Sequence, residues 1–411
     1  ARQKKEENMI NVSVLGYGTV GSGVVEILKE NADLITKRAG EEIRVKSVLD
    51  LRDFPGDPVQ DMIVHDFEEI KNDPDVQIVV ETMGGVHPAY EFVKASLESG
   101  KSVSTSNKAL VAAYGPELLE IAQEHNVNFL FEASVGGGIP IIRPLKISLA
   151  PDEILEISGI LNGTTNYILT EMTNNGSAFD TVLKDAQDKG YAEKDPTADV
   201  EGYDACRKIA ILTSLAYGKQ LDFEDIYTEG ITKITDRDIC YAKKIGAKVK
   251  IFGSSKKVGD KVSAMVAPKL ITSEHPLYSV DGVFNAILVK GNMVGDVMFY
   301  GQGAGKLATA SAVVSDVIDE AKHVNVNMRT LWDHEKLALM PMDEVKSKFF
   351  VRVKGTKDEV QEQAAKLFGK ITAVDAGFDD EFGFVTEEIT EAVYEQAAKE
   401  MEIINKIRFD V

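Results

Sequence analysis

The hexapeptide Gly16-Tyr17-Gly18-Thr19-Val20-Gly21 constrains this chain more than any other segment. It follows the apolar run Ile10–Leu15 and opens an amphipathic stretch, Val20–Lys29, so it reads as the turn between a strand and a helix. In that setting Gly16 allows the tight turn, Gly18 lets a phosphate approach the backbone, and Gly21 lets helix and strand pack closely. The first helical turn, Thr19 and Val20 included, then offers N–H groups and partial positive charge to a pyrophosphate. Standing alone, G-x-G-x-x-G is weak, and a plain structural turn competes with it. The rest of the first third favours the dinucleotide reading. Ile43–Leu49, Gln77–Val80, Ser102–Thr105 and Val127–Phe131 read as further strands, with helical stretches such as Ala89–Ser99 and Pro116–His125 between several of them. Such alternation predicts an α/β fold: a doubly wound, Rossmann-type parallel sheet with helices on both faces.

Which dinucleotide this domain takes is left open by two charges. Asp50 ends the second predicted strand, where an acid grips the ribose 2′-hydroxyl of NAD, but it lies further downstream than the ~20 residues usual for that role. Arg52 is the alternative, a partner for the 2′-phosphate of NADP. An exposed loop charge doing neither is the bland reading of each.

Beyond Pro140 the texture changes. Helical segments (Phe179–Lys189, Val200–Tyr217) mix with strand-like runs (Glu153–Leu161, Val262–Pro268, Ala286–Lys290), which predicts a separate α+β domain. A helix over Gly305–Ala321 follows, then a polar, Met- and Pro-containing connector over Asn325–Asp343. The tail reads strand Phe349–Val353, helix Lys357–Phe368, strands Ile371–Val374 and Phe382–Thr386, helix Glu388–Glu400, strand Ile403–Phe409. That βαββαβ order suits a small ferredoxin-like module. With 411 residues, more than one core is required. The expected division is a dinucleotide-binding domain over 9–140 completed by helix 305–322, a substrate-binding and catalytic domain over 141–304, and the tail module over 345–411.

The bulk properties exclude several classes. A formal charge of −20 repels phosphate backbones and anionic lipid, against nucleic-acid or membrane partners. No apolar run approaches the ~18 residues needed to span a bilayer. Two cysteines, Cys206 and Cys240, and six scattered histidines give neither a disulfide framework nor a transition-metal ligand spacing. The charged start, Ala1–Asn8, lacks the apolar stretch of a secretory signal and reads as an expression remnant or frayed end, with Met9 near the natural start. A cytoplasmic protein is expected.

Chemistry concentrates in Gly190-Tyr191-Ala192-Glu193-Lys194-Asp195-Pro196-Thr197-Ala198-Asp199, a polar loop leading into a helix near Val200. Asp204 and Lys208 lie one turn apart on one face of that helix. Taken alone, such a pair is usually a solvated salt bridge. Yet Ile209–Ala216 is nearly apolar all round, so the helix is read as buried, and a buried carboxylate and ammonium must be paired or used.

These residues carry a resemblance. Glu193-x-Asp195-Pro196-x-x-Asp199 followed by Asp204-Ala205-Cys206-Arg207-Lys208 is similar to the signature of homoserine dehydrogenases. So are the stretches Gly159–Ile168, Ser104–Lys108, Glu132–Pro140 and Gly301-x-Gly303-Ala304-Gly305, which run in family order from about Ile10 to Ala321. Cys206 departs from the pattern, where a smaller residue is usual, and is read as a packed helix residue. The resemblance implies NAD(P)-dependent interconversion of L-aspartate 4-semialdehyde and L-homoserine, in threonine and methionine biosynthesis. It implies that Glu193 binds the substrate amino group, that Asp204, with Asp199, fixes the substrate, that Lys208 donates the proton to the aldehyde oxygen, and that Lys108 sits beside nicotinamide and substrate. Gly84, Ser106, Gly190 and Gly305 would line the cofactor. It further implies a structural sodium ion on the backbone carbonyls of Glu132, Val135, Gly137 and Ile139, where glycines let carbonyls converge. A glycine turn between domains is the bland reading of that stretch. A homodimer or homotetramer, built through the central domain, is also implied.

Two rival readings compete. An aspartate-semialdehyde dehydrogenase needs a cysteine nucleophile, and neither cysteine has a prepared setting. A non-catalytic nucleotide- and amino-acid-sensing protein would not need Glu193, Asp204 and Lys208 together. The tail resembles an ACT regulatory module, which implies feedback by threonine. Effector-binding ACT modules place a glycine-containing turn, often with proline, between first strand and first helix. Lys354-Gly355-Thr356-Lys357-Asp358-Glu359 has one glycine, no proline and several charges, so an ordinary turn and a weak threonine response are expected.

Overall fold

A computed structural model describes residues 9–410, so the charged start Ala1–Asn8 lies outside the described residues. The chain divides into two compact units. One comprises the residues up to Pro151 with Ala210–Asp222 and Gly301–Lys336; the other comprises Asp152–Ile209, Phe223–Tyr300 and the residues from Leu337 onward. The division falls within the helix Tyr203–Tyr217. No helix among the described residues is long and apolar enough to cross a membrane.

The first unit is built on six parallel strands: β1 (Met9–Leu15), β2 (Glu42–Leu49), β3 (Ile63–Val64), β4 (Val76–Glu81), β5 (Ser102–Thr105) and β6 (Phe129–Leu130). Their order, β3-β2-β1-β4-β5-β6, is that of a doubly wound sheet, with the direction of winding reversing between β1 and β4. Alternation along each strand feeds two layers. Val12, Val14, Ile78 and Val80 join a core with Val24 and Leu28 of helix Thr19–Glu30, Ile35 of helix Ala32–Ala39, and Val313, Val314 and Val317 of helix Lys306–Lys322. Val79, between Ile78 and Val80, is fully buried on the opposite face, where helices Ala89–Glu98 and Lys108–Glu124 pack together. Helix Ala32–Ala39, absent from the sequence reading, explains why Asp50 comes so late: it adds a full element between the glycine turn and β2.

Helix Lys108–Glu124 begins eight residues before the sequence reading placed it. Pro116 lies inside the helix, and the true start is Asn107, whose side chain accepts from Leu110 N. The stretch read as a connector is partly built in. Trp332 is buried against Gly115, where a Cβ would lie 2.7 Å from the indole, and its Nε1 donates to Gln220 Oε1 at 2.9 Å.

The second unit is one large mixed sheet with helices. Its main path runs Gly295–Gln302, Phe284–Gly291, Ile154–Ile160, Ala247–Val258, Lys261–Thr272, Ile403–Phe409, Lys346–Lys354, Glu381–Thr386, Ile371–Val374. Ala247–Val258 and Lys261–Thr272 form a long hairpin in continuous register about Gly259, whose φ is +63°. Sequence alone shows only part of its second strand. The first is disguised by Lys250, a fully buried lysine whose Nζ reaches Asn166 Oδ1, Val280 O and Asp281 Oδ1 at 3.0, 2.6 and 2.8 Å.

The tail has the βαββαβ order read from sequence, with its four main strands arranged fourth-first-third-second and antiparallel throughout, and with a two-residue strand, Ile389–Thr390, added on the first. Phe349, Val351, Val353, Phe382, Phe384 and Tyr394 form its own core. Its last strand also pairs, in parallel, with the central hairpin at Lys269↔Arg408 and Leu270↔Phe409.

Candidate functional site

In the first unit the glycine turn has the geometry that its spacing predicts. Gly16 has φ +93°, with Met83 close by; a Cβ on Gly21 would lie 1.9 Å from Gly16 O. At Gly18, the residue capping helix Thr19–Glu30, a Cβ would meet nothing, so this part of the turn faces open space beside exposed Thr19 and half-buried Val20. Gly16 N donates to Leu49 O at 2.8 Å, holding the turn between the carboxyl ends of β1 and β2.

At the end of β2, Asp50 accepts from Tyr17 N at 2.9 Å and from Arg52 N, Nε and Nη2 at 3.0, 2.9 and 3.0 Å. The Arg52 guanidinium holds the Asp50 carboxyl well below the usual carboxylate range. The acid is thus engaged by the very arginine that competes with it for the ribose role, while Arg52 stays 63 % exposed.

Gly84 and Ser106 lie on the two turns that leave β4 and β5, and Lys108 opens the helix that follows the second. Gly84 has φ +77° and is exposed; Ser106 and Lys108 are half-buried. Asn107 Nδ2 donates to Gly85 O at 2.5 Å and ties the turns together. Gly305, with φ +126°, caps helix Lys306–Lys322.

The Glu132–Pro140 loop is buried except at Gly138 and Pro140. The Glu132 carboxylate accepts from Ile141, Ile142 and Arg143 N at 2.6, 2.9 and 2.7 Å, which fastens the loop to the segment that follows it. Gly137 has φ +57°, and a Cβ there would lie 2.3 Å from Gly303 O. A Cβ on Gly136 would lie 2.3 Å from Ile139 O, so that carbonyl turns into the space the glycine leaves. Of the four carbonyls expected to hold a cation, Ile139 O is the one that faces a space kept clear by a glycine.

In the second unit the Asp–Lys pair is buried as the apolar continuation of its helix predicts. Lys208 Nζ lies 2.8 Å from Asp204 Oδ2 and donates to Leu161 O at 2.8 Å; the two side chains are 10 % and 8 % exposed. Asn162 is the hub that sequence reasoning left without a role. Its Nδ2 donates to Asp199 Oδ1 at 2.7 Å and to Asp204 Oδ2 at 3.0 Å, and its Oδ1 caps helix Gly163–Asn175 by accepting from Thr165 N at 2.9 Å. The available signal was the Asn-Gly-Thr-Thr sequence after a strand, a helix-cap pattern. Burial pushes the Asp199 carboxyl up, opposed by the Asn162 hydrogen bond and raised further by the Asp204 charge. Gly190 (φ +75°) ends the turn after helix Phe179–Asp188, and Glu193 is exposed on the loop beyond, its carbonyl accepting from Gln187 Nε2 at 3.0 Å. Cys206 is buried, its Sγ lies 3.2 Å from Phe223 O, and burial pushes its thiol up, the reverse of a prepared nucleophile.

A family model described as "Homoserine dehydrogenase, NAD binding domain" matches residues 16–132, and one described as "Homoserine dehydrogenase" matches residues 140–318. The homoserine dehydrogenase of Neisseria gonorrhoeae is 44% identical over 85% of this chain and 82% of its own length. That of Bacillus subtilis is 42% identical over 89% and 84%. Among solved structures, the homoserine dehydrogenase of Thiobacillus denitrificans superposes with a TM-score of 0.89 at 35% identity, covering 98% of both chains. A hyperthermophilic archaeal homoserine dehydrogenase in complex with NADPH superposes at 0.66 with 30% identity, over 79% of this chain and 99% of that one. A Rossmann-type unit with an intact glycine turn, a buried Asp204–Lys208 pair in a mixed-sheet unit, and relatives matched over most of their length lead to one conclusion: the chain belongs to the homoserine dehydrogenase family, NAD(P)-dependent oxidoreductases acting on a CH–OH group.

Proposed function

We propose that this chain interconverts L-aspartate 4-semialdehyde and L-homoserine with NAD(P), with Lys208 donating the proton to the aldehyde oxygen in reduction and removing it in oxidation. One observation carries the reading: the Lys208 amine is anchored by Leu161 O and Asp204 in a largely buried site. A positioned ammonium there stabilises and protonates the oxygen on which negative charge develops. The hydride chemistry belongs to NAD(P) when it is bound. Asp204 and Asp199, bridged by Asn162, fix the substrate, and Glu193 takes its amino group. Lys108 lies beside the reacting carbon; Gly16, Gly18, Thr19, Val20 and Gly21 hold the pyrophosphate; Gly84, Ser106, Gly190 and Gly305 line the cofactor, and Arg52 takes the 2′-phosphate of NADP.

The same reading gives the Glu132, Val135, Gly137 and Ile139 carbonyls a structural sodium ion, supported by the Ile139 carbonyl turned toward Gly136. It divides the chain at 9–140 with 305–322, 141–304 and 345–411, treats 345–411 as an ACT-like module, and makes the protein a cytoplasmic homodimer or homotetramer. The test is direct: purified protein should oxidise L-homoserine with NAD or NADP, followed by reduced-cofactor absorbance. Failure to turn over homoserine with either cofactor overturns the reading.

A further inference from the structure

Glu81, the last residue of β4, is fully buried in a strand whose preceding residues, Val79 and Val80, are apolar. A carboxyl group at such a place is costly unless its oxygens are used. They are. Oε1 accepts from Met83 N at 2.7 Å, with Gly84 N at 3.4 Å; Oε2 accepts from Thr105 Oγ1 at 2.6 Å. Thr105 Oγ1 in turn accepts from Asn107 N at 2.9 Å, and Ser106 N donates to Glu81 O at 3.4 Å. With the Asn107–Gly85 bond already described, one side chain fastens both turns at the carboxyl edge of the sheet, next to the point where the winding reverses. In doubly wound sheets, ligands bind at that crevice. The turns so fastened carry Gly84 on one side and Ser106 and Lys108 on the other.

We infer that Glu81 is a positioning residue for hydride transfer: it sets the spacing of the Met83–Gly85 and Ser106–Lys108 turns, and through them the placement of the nicotinamide and of Lys108. This rests on the homoserine dehydrogenase reading above. A leucine or alanine would leave Met83 N and Thr105 Oγ1 without an acceptor, and the turns would separate. Glutamine keeps a carbonyl for Met83 N, and its amide N–H can donate to Thr105 Oγ1 with the direction of that bond reversed, so it should preserve most of the clamp.

The experiment compares Glu81→Ala, Glu81→Gln and Thr105→Val with the wild type. Expected for Glu81→Ala is a kcat lower by about 10–100-fold, the scale of a small misplacement of reacting groups, with KM for homoserine changed far less. The primary deuterium isotope effect on homoserine oxidation should rise, because hydride transfer becomes slower than product release. Glu81→Gln should recover most of the kcat. In cofactor-free protein, hydrogen exchange at the Met83 and Asn107 amides should quicken in Glu81→Ala and stay near wild type in Glu81→Gln. A folded Glu81→Ala with unchanged kcat, isotope effect and exchange overturns the inference. Should that variant fail to fold, Thr105→Val decides by the same readouts. If wild type fails to oxidise homoserine, the substrate reading falls, while amide exchange still supports or overturns the clamp.

Discussion

Lys208 owes its place to two oxygens at 2.8 Å, one a backbone carbonyl and one a carboxylate, so on the proposed reading its removal takes away the proton donor alone. Lys208→Ala should therefore lower kcat by ~10²–10⁴, the usual worth of one positioned acid or base, while NADPH affinity by fluorescence titration stays within a few-fold. A variant keeping more than half of the wild-type kcat would remove the lysine from its role. The second prediction belongs to Asp50 and Arg52. With the acid already accepting from Tyr17 N and from Arg52, neither charge dominates the ribose end, and both cofactors should serve. Arg52→Ala should lower kcat/KM for NADP by about tenfold or more, the worth of a charged hydrogen bond, and spare NAD; unchanged NADP use excludes the arginine. At this scale the sequence was informative about Lys208 and Asp204, because a one-turn spacing and an apolar continuation are local patterns. It was silent on Asn162 and Glu81, whose partners are set by tertiary folding: Asn162 meets Asp199 and Asp204 across 37 and 42 residues, and Glu81 meets Thr105 across 24.

Helix Lys306–Lys322 shows what an element adds. It brings Asp316 and Glu320, both nearly or fully buried, beneath the first sheet, where Asp316 accepts from Glu132 N and pairs with Arg143 at 2.7 Å, and Glu320 accepts from Ser104 Oγ. Burial, reinforced by Glu132 and opposed by Arg143, pushes the Asp316 carboxyl up to about 7; burial raises Glu320 in the same direction. A carboxyl raised on folding binds its proton more tightly folded than unfolded. Its contribution is complete below its ordinary value near 4 and is lost as pH climbs through about 7. Urea stability should accordingly fall from pH 4 to pH 7.5 by on the order of 1–4 kcal/mol through this group, and Asp316→Asn should flatten that slope. An unaltered slope in the variant would rule Asp316 out. Elements with clean periodicity were legible in sequence, among them β1, β2, β5 and most of the tail, where only the short strand Ile389–Thr390 was read as part of the helix after it. Those hidden had a polar disguise: the strand Ala247–Val258 contains a buried lysine, and the edge strand Gly295–Gln302 alternates half-buried with exposed residues, so it has no fully apolar face to announce it.

For the whole molecule, the tail is the feature with most consequence. Buried charges bind it to the central part of its unit. Arg352 reaches Asp238 and Glu381 at 2.7 Å, and Arg408 reaches Glu391 at 2.6 Å and Glu229 at 2.9 Å. The turn between its first strand and first helix is occupied locally, with Gly355 N donating to Asp380 O and Thr356 N accepted by Glu359. A turn whose backbone N–H groups are already taken is poorly suited to an amino-acid ligand. L-Threonine should therefore inhibit homoserine oxidation only weakly; strong sub-millimolar inhibition that vanishes when the chain is cut before Lys348 would contradict this. The fourth-first-third-second strand order, read from the sequence only as a βαββαβ succession, places Ile403–Phe409 in the interior of the large sheet, between the central hairpin and the tail's first strand. On the ribosome, the first unit's six strands are all available long before this one is made, whereas the second sheet has a vacant interior lane until its last described strand emerges. Until Ile403–Phe409 emerges, a nascent chain has two open sheet edges on either side of that lane, the condition under which unpaired strands recruit the wrong neighbour. Chains interrupted within Ile403–Phe409 should thus yield aggregates rather than a shortened, working enzyme.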